Sequence, residues 1–494
     1  MLRELLESVD LLASGHVRSV AVQDIARIAE RRAGPDLGIG ASAVRSALQT
    51  ALAGLQQDPA DLVLKHQLDF LLATVETDYL KNWGAANPDD VAALGAESIS
   101  RLLAGHLLDT GFSPHYLHRW ALWLMTKRQP QTLADLFDEA HAVAVRSARS
   151  WKVLVPFAAL ERHEQQMPTE WLDPEQVTMW LSKQAPEASV RHTGGLLLEV
   201  EAHDRWSAVE EAGDLIESLA ARVAVGVPGV PRFQPHSEAF VAGTPTGFSL
   251  TRPRRQVNVH SLKRQNALFA VAEPALGGRL QSAIDLVAPL ETGTPGAAVA
   301  GGWAALEAVL ARPGTSSVQA AADLAALVAC SFPRAELTPL AYAYLGEHDD
   351  QLSESLKHAS SNLQRCAILG TAIEEGSALE FGRPSDQAAL ERVRGILAEP
   401  GAVLARVCTY VEEAMLRLYR QRNMVLHAGK IDSVAMPAVL RTAPPLIGAG
   451  LDRLVHDALA KGESDPLRLV AQARTALHSC GRQGGSKVWD LLGH

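Results

Sequence analysis

Aromatic residues make up only 5% of this 494-residue chain, and its four cysteines, Cys330, Cys366, Cys408 and Cys480, lie far apart. Scarce aromatics beside abundant Ala, Leu and Val favour helices packed on helices over a β-sandwich. The cysteine spacing fits neither a zinc knuckle nor a small disulfide scaffold, which points to a reducing compartment. No uninterrupted apolar run reaches the roughly 18 residues of a membrane span. The start, Met1-Leu2-Arg3-Glu4-Leu5-Leu6-Glu7, lacks the apolar core of a secretory signal. The expected setting is therefore cytoplasmic, without membrane contact. Positive charge is also short: the net charge is -10, so any nucleic-acid contact needs a local basic patch.

What is present is a soluble-type composition, 47% apolar, with length enough for several cores. Three regions are expected, giving a mainly α chain with a small α/β middle domain. Residues 1–148 read as helices: Leu2, Leu5, Leu6, Val9 and Leu12 recur at helical spacing, as do Val44, Leu48, Leu52 and Leu55. The segment Trp120-Ala121-Leu122-Trp123-Leu124 is apolar enough to predict a buried helix. Residues 149–265 change texture. Lys152–Phe157 and Leu196–Glu201 read as strands, with further β-like pieces at Phe240-Val241 and Phe248–Leu250. Asp204 is placed to cap a helix carrying Ala208, Ala212, Leu215 and Leu219 on one side, and a Pro- and Gly-rich loop follows over Gly226–Pro235. Residues 266–494 return to helix, with segments expected near 318–330, 336–345, 351–376, 385–397, 401–427, 434–460 and 465–478.

Several short motifs fail on chemistry. His115-Tyr116-Leu117-His118 has neither a cysteine nor an acidic partner to complete a metal set. Gly38-Ile39-Gly40 follows no strand, as a dinucleotide fingerprint would require. Gly484-Gly485-Ser486-Lys487 has the wrong order for a phosphate loop, and His348-Asp349-Asp350 reads as a polar turn. No metal or cofactor is expected. The densest basic stretch holds Arg252, Arg254, Arg255, Lys263 and Arg264, a candidate for phosphate contacts or a solvated connection.

One stretch carries chemistry in context. Leu404, Cys408, Val411, Met415 and Leu418 repeat at three and four residues, the pattern of a core-packed helix. At its end stand Arg420, Arg422, Asn423 and His427, with Gly429 placed to terminate it. A fixed cation, an amide and a proton-exchanging imidazole suit work on a phosphodiester. The bare spacing is weak evidence, since Arg101–His106 and Arg255–His260 repeat it. On a regular helix, Arg422 and His427 also point about 140° apart. Closing them into one site therefore takes local unwinding or a second copy across a twofold axis.

Arg422-Asn423-Met424-Val425-Leu426-His427 resembles the Arg-x4-6-His motif of the HEPN superfamily, including the polar residue after the Arg. Leu416–Arg420 and Ala428-Gly429-Lys430 resemble the flanks seen in prokaryotic abortive-infection members. Trp303–Leu310, with Glu307, resembles an early helix of such domains. The resemblance covers roughly 270–460 and implies a helical C-terminal bundle. It also implies a metal-independent endoribonuclease, a toxin or antiphage effector that cuts tRNA or other RNA to 2′,3′-cyclic phosphate ends. Arg422, Asn423 and His427 would be catalytic, Glu307 supporting, and a homodimer would form through the C-terminal domain under a regulatory partner or phage-derived trigger. A catalytically silent RNA- or protein-binding module and a helical interaction scaffold are the alternatives.

Overall fold

The helical spacings at the start of the chain become a bundle. In a computed structural model, residues 1–160, 167–226, 232–270, 277–312, 314, 316, 318–462 and 465–493 are described. They are mainly helical, 69% helix, with a small antiparallel sheet in the middle region. Two compact units result, Met1–Pro253 and Arg254–His494.

The first unit opens with α1 (Leu2–Ala13), α2 (Ser19–Ala33), α3 (Ser42–Gln57), α4 (Leu62–Ala85), α5 (Pro88–Ala92), α6 (Gly95–Thr110), α7 (Pro114–Trp123) and α8 (Leu133–Ala144). Leu5, Val9, Leu48, Leu52 and Leu55 are buried together, as their spacing predicts. The Trp120–Leu124 segment departs from its reading. Leu124 is buried and Trp120 packs half-buried against two cores, while Leu122 and Trp123 are each 44% exposed. Beyond α7 the helix widens into a π turn at Leu124–Arg128. An apolar run thus lies at a surface, which its composition alone does not reveal.

The sheet follows: β1 (Arg149–Leu160), β2 (Trp171–Leu172), β3 (Gly195–Ala202), β4 (Phe233–Pro235), β5 (Glu238–Val241) and β6 (Phe248–Ser249). Its order is β2-β3-β1-β5-β6, with β4 also pairing with β1. Strand alternation sends Val153, Val155 and Phe157 to one face, against α10 (Arg205–Gly226). Leu154 and Phe240 face the other way, against α9 (Pro174–Gln184). Of the expected side of α10, Ala208 and Ala212 are buried and Leu219 packs half-buried on the same core, joined by Val209 and Ile216, whereas Leu215 is exposed. Strand β4 falls in the stretch read as loop, of which residues 227–231 lie outside those described. No boundary forms at 148 because polar and aromatic contacts cross it. Buried Asp204 accepts from Ser113 N–H at 2.8 Å and from Ser113 Oγ at 2.9 Å. Phe112 meets His203 with centroids 4.9 Å apart.

The second unit holds α11 (His260–Arg264), α12 (Gly277–Thr292), α13 (Pro295–Leu310), α14 (Gln319–Glu347), α15 (Gln351–His358), α16 (Asn362–Glu374), α17 (Pro384–Ala398), α18 (Pro400–Ala428), α19 (Met436–Lys461) and α20 (Pro466–Ser479). α14 is the hub: it packs against α13 and α15 through α20. The two helices expected over 318–345 are this one helix, which runs through Pro333 and Pro339. Conversely, the segment expected over 351–376 is two helices, each started by its own cap, Asp350 for α15 and Ser361 for α16. Residues 254–265 belong to this unit for a physical reason. Val257 N–H donates to Glu291 at 2.7 Å, and Ser261 N–H donates to Asp452 at 2.6 Å. Asn258 passes so close to α19 that a Cβ on Gly448 would lie 2.7 Å from its backbone nitrogen.

Candidate functional site

The helix carrying Arg422 and His427 is anchored before it is exposed. Leu404, Val411, Met415, Leu418, Gln421 and Met424 form the buried side of α18, and Cys408 is half-buried, its thiol directed to the Ala325 carbonyl at 3.7 Å. α13 runs antiparallel alongside. A Cβ on Gly296 would meet Val425 at 3.4 Å and Ile431 at 3.5 Å, and Trp303 lies against Tyr419 with ring centroids 4.8 Å apart. These contacts hold the end of α18 on the unit's core.

α18 stays regular α-helix to Ala428. Gly429 then takes φ 65, the left-handed conformation that favours glycine. Its N–H donates to the Val425 carbonyl at 3.2 Å, and Lys430 N–H reaches back to the Met424 carbonyl at 3.2 Å. Since no unwinding occurs, Arg422 and His427 diverge by about 140° within one chain. Arg422 Nη1 donates to Asn423 Oδ1 at 3.0 Å, so the amide orients the guanidinium rather than the imidazole. Arg422 and Asn423 are half-buried, whereas His427 is exposed between Leu426, 52% exposed, and the Gly429 cap. Neither Arg422 nor His427 has an acidic partner among the described residues.

The two other Arg-x4-His spacings are occupied differently. Arg101 pairs with Glu97 at 2.6 Å, and His106 stacks on Tyr79 at 4.8 Å, where burial holds its pKa below the usual imidazole range. Arg255 Nη1 donates to the carbonyls of Leu290 at 3.2 Å and Gly293 at 2.8 Å, closing the end of α12.

Other candidates are placed apart. A step of seven positions along α13, from Gly296 to Trp303, answers to a step of six along α18, from Val425 to Tyr419. Continued at the same pitch, Glu307 comes abreast of Met415, about 18 Å along the helix from His427. It joins no ion pair among the described residues and does not meet the Arg-His end within one chain. In the basic stretch, Arg252 pairs with Asp214 and Glu217. Arg264 pairs with Asp452 at 2.9 Å. Arg254 and Lys263 are exposed, and Arg420 is half-buried on the flank of α18. Three of the five residues of that stretch, Arg252, Arg255 and Arg264, thus hold structural partners.

Sequence reasoning passed over Gln421. It is fully buried, its Nε2 lies 3.4 Å from Met424 Sδ, and its Oε1 has no hydrogen-bond partner among the described residues. Its signal was positional, three residues after Leu418 and three before Met424, hence on the buried side. The rejected motifs have structural employment. His115 stacks on Trp206 at 4.8 Å, and Asp350 caps α15 through Ser353. Among the described residues no three His, Cys, Asp or Glu side chains gather as a metal set, and no helix is long and apolar enough to cross a membrane. No family model, curated protein or solved structure matches the chain.

Proposed function

We propose that the second unit is an endoribonuclease of the HEPN type, assembled from two copies of the chain. The observation that carries this reading is the end of α18. A core-packed helix presents an amide-braced arginine and a solvent-facing histidine, and neither is neutralised by a carboxylate. The chemistry follows from the residues. One copy's His427 takes the ribose 2′-OH proton while the other's protonates the leaving 5′-oxygen. Arg422 carries permanent charge and braces the phosphate as negative charge accumulates in the transition state. Asn423 holds the guanidinium in place. The products are a 2′,3′-cyclic phosphate and a 5′-hydroxyl. A toxin or antiphage effector role, with tRNA among the substrates and a trigger controlling release, belongs to the same proposal.

Purified chain incubated with tRNA in EDTA tests it. The wild type should cut, and His427→Ala should lose at least about 100-fold in rate. Arg422→Ala should lose about 100- to 1,000-fold. Equal cleavage by wild type and His427→Ala would overturn the reading. A second reading, a silent RNA-binding module, is favoured by the 140° divergence within a single chain, and RNA bound but left intact would select it.

A further inference from the structure

The first unit carries a surface whose chemistry is unlike the rest of this acidic chain. Residues 110–134 contain no Asp or Glu, and neither do residues 140–160, although the chain holds 56 acids to 46 Lys and Arg. Folding joins the two stretches. Arg146 Nη1 donates to the Tyr116 hydroxyl at 2.8 Å, linking the end of α8 to α7. At the start of β1, Arg149 lies over the Trp151 ring at 3.7 Å, and Trp151 Nε1 donates to the Ala202 carbonyl at 2.9 Å. Ala202 leads directly into Asp204, Arg205 and Trp206, which α7 covers through Ser113 and His115.

The centre of this surface is Trp206. His115 stacks on its ring at 4.8 Å and 26°, with Arg119 at 5.6 Å and Arg205 at 5.0 Å from the same centroid. His115, Arg119, Arg149 and Arg205 are exposed, and none of the three arginines pairs with a carboxylate among the described residues. The nearby buried acid, Asp204, is consumed by Ser113 and by the N–H groups of Trp206 and Ser207. Arg205 also stands at the first position of α10, where the helix dipole adds to its charge instead of offsetting it. Trp123 at the end of α7 and then Lys127 in the π turn continue the exposed face.

We infer that this face is a binding surface for single-stranded nucleic acid, with phosphates taken by Arg119, Arg149 and Arg205 and bases stacking on the exposed His115 ring and on Trp123. Unpaired guanidiniums interleaved with aromatic rings match a polyanion whose units are flat, because each phosphate needs a cation and each base a π surface. Guanidiniums already oriented on rings lose little freedom when they bind phosphate. The inference does not depend on cleavage by the second unit, and its test is read by binding alone.

Fluorescence anisotropy of a labelled 15-nucleotide single-stranded RNA with the full chain provides that test, at several salt concentrations. The wild type should bind, with log K falling against log salt by about 0.7 for each phosphate held. Arg119→Ala/Arg205→Ala should bind at least about tenfold more weakly with a slope smaller by about 1.4. His427→Ala should bind as the wild type does, which separates this surface from the proposed nuclease. Arg119→Lys/Arg205→Lys, which keeps both charges, should recover most of the salt slope, and circular dichroism should report the same helix content in every variant. Unchanged affinity in the alanine variant, absence of binding by the wild type in 50 mM salt, or equal affinity for a duplex would overturn the inference. So would binding to phosphatidylserine vesicles in place of RNA, which would reassign Leu122, Trp123 and Met125 to a membrane surface.

Discussion

His106 shares its spacing from an arginine with His427, yet the two side chains meet opposite surroundings. His106 is packed on Tyr79, and burial lowers its pKa despite the opposing pull of Asp109 and Glu76. A histidine held neutral in the fold stabilises it above the unfolded value of about 6.5, and that contribution disappears as pH falls through this value towards the folded one. The urea midpoint of the first unit should therefore fall between pH 7 and pH 5, and His106→Gln should flatten that dependence. A midpoint that varies equally in the variant would assign the effect to other groups. This difference between two histidines was only partly legible in the sequence. The lead-in spacing identified α18 as core-packed, but Tyr79 lies 27 residues from His106, and no local pattern announces their stacking. Arg252, Arg255 and Arg264 show the same limit. Their shared neighbourhood in sequence suggested one basic patch, while their partners Asp214, Leu290 and Asp452 lie on three separate helices.

Among the elements, α14 owes its position to a polar anchor as well as to its apolar surface. Asp323 is fully buried and receives Arg312 Nη2 at 2.8 Å and Arg474 Nη2 at 2.5 Å, tying α14 to the end of α13 and to α20. Removing the carboxylate leaves two guanidiniums without their shared partner, so Asp323→Ala should destabilise the second unit by about 3 kcal/mol. Chemical denaturation followed by helix signal would measure this, and a loss below about 1 kcal/mol would show that water replaces the carboxylate without strain. Helix positions were largely legible, because three- and four-residue spacing survives folding unchanged. Helix continuity was less so. Two helices were expected over 318–345, but α14 runs on through Pro333 and Pro339, held by packing on seven other helices, whereas Asp350 and Ser361 started helices where periodicity ran on. The exposure of Trp123 was not legible at all, since it depends on which elements fail to cover α7.

At the level of the whole molecule, two units replace the three regions expected, and all four thiols belong to the second. Burial raises the pKa of Cys330, Cys366 and Cys480, and it pushes Cys408 up to about 11. Thiolate is the reactive form, so a chromogenic thiol reagent at pH 7.5 should label none of the four within minutes in the native chain and all four in guanidinium. Rapid labelling of one cysteine without unfolding would mean that its helix opens locally. The surplus of acids was visible from composition, and it concealed the cluster of exposed arginines in the first unit, which emerges only when residues 110–134 and 140–160 come together. The regular end of α18 has a last consequence. On the proposed reading a lone chain holds half a reaction centre, so at low abundance the rate grows with the square of the amount of chain. Doubling expression then quadruples turnover, and modest dilution silences it. A threshold of this kind adds to the proposed trigger and lets a cell carry a small standing stock of a destructive enzyme.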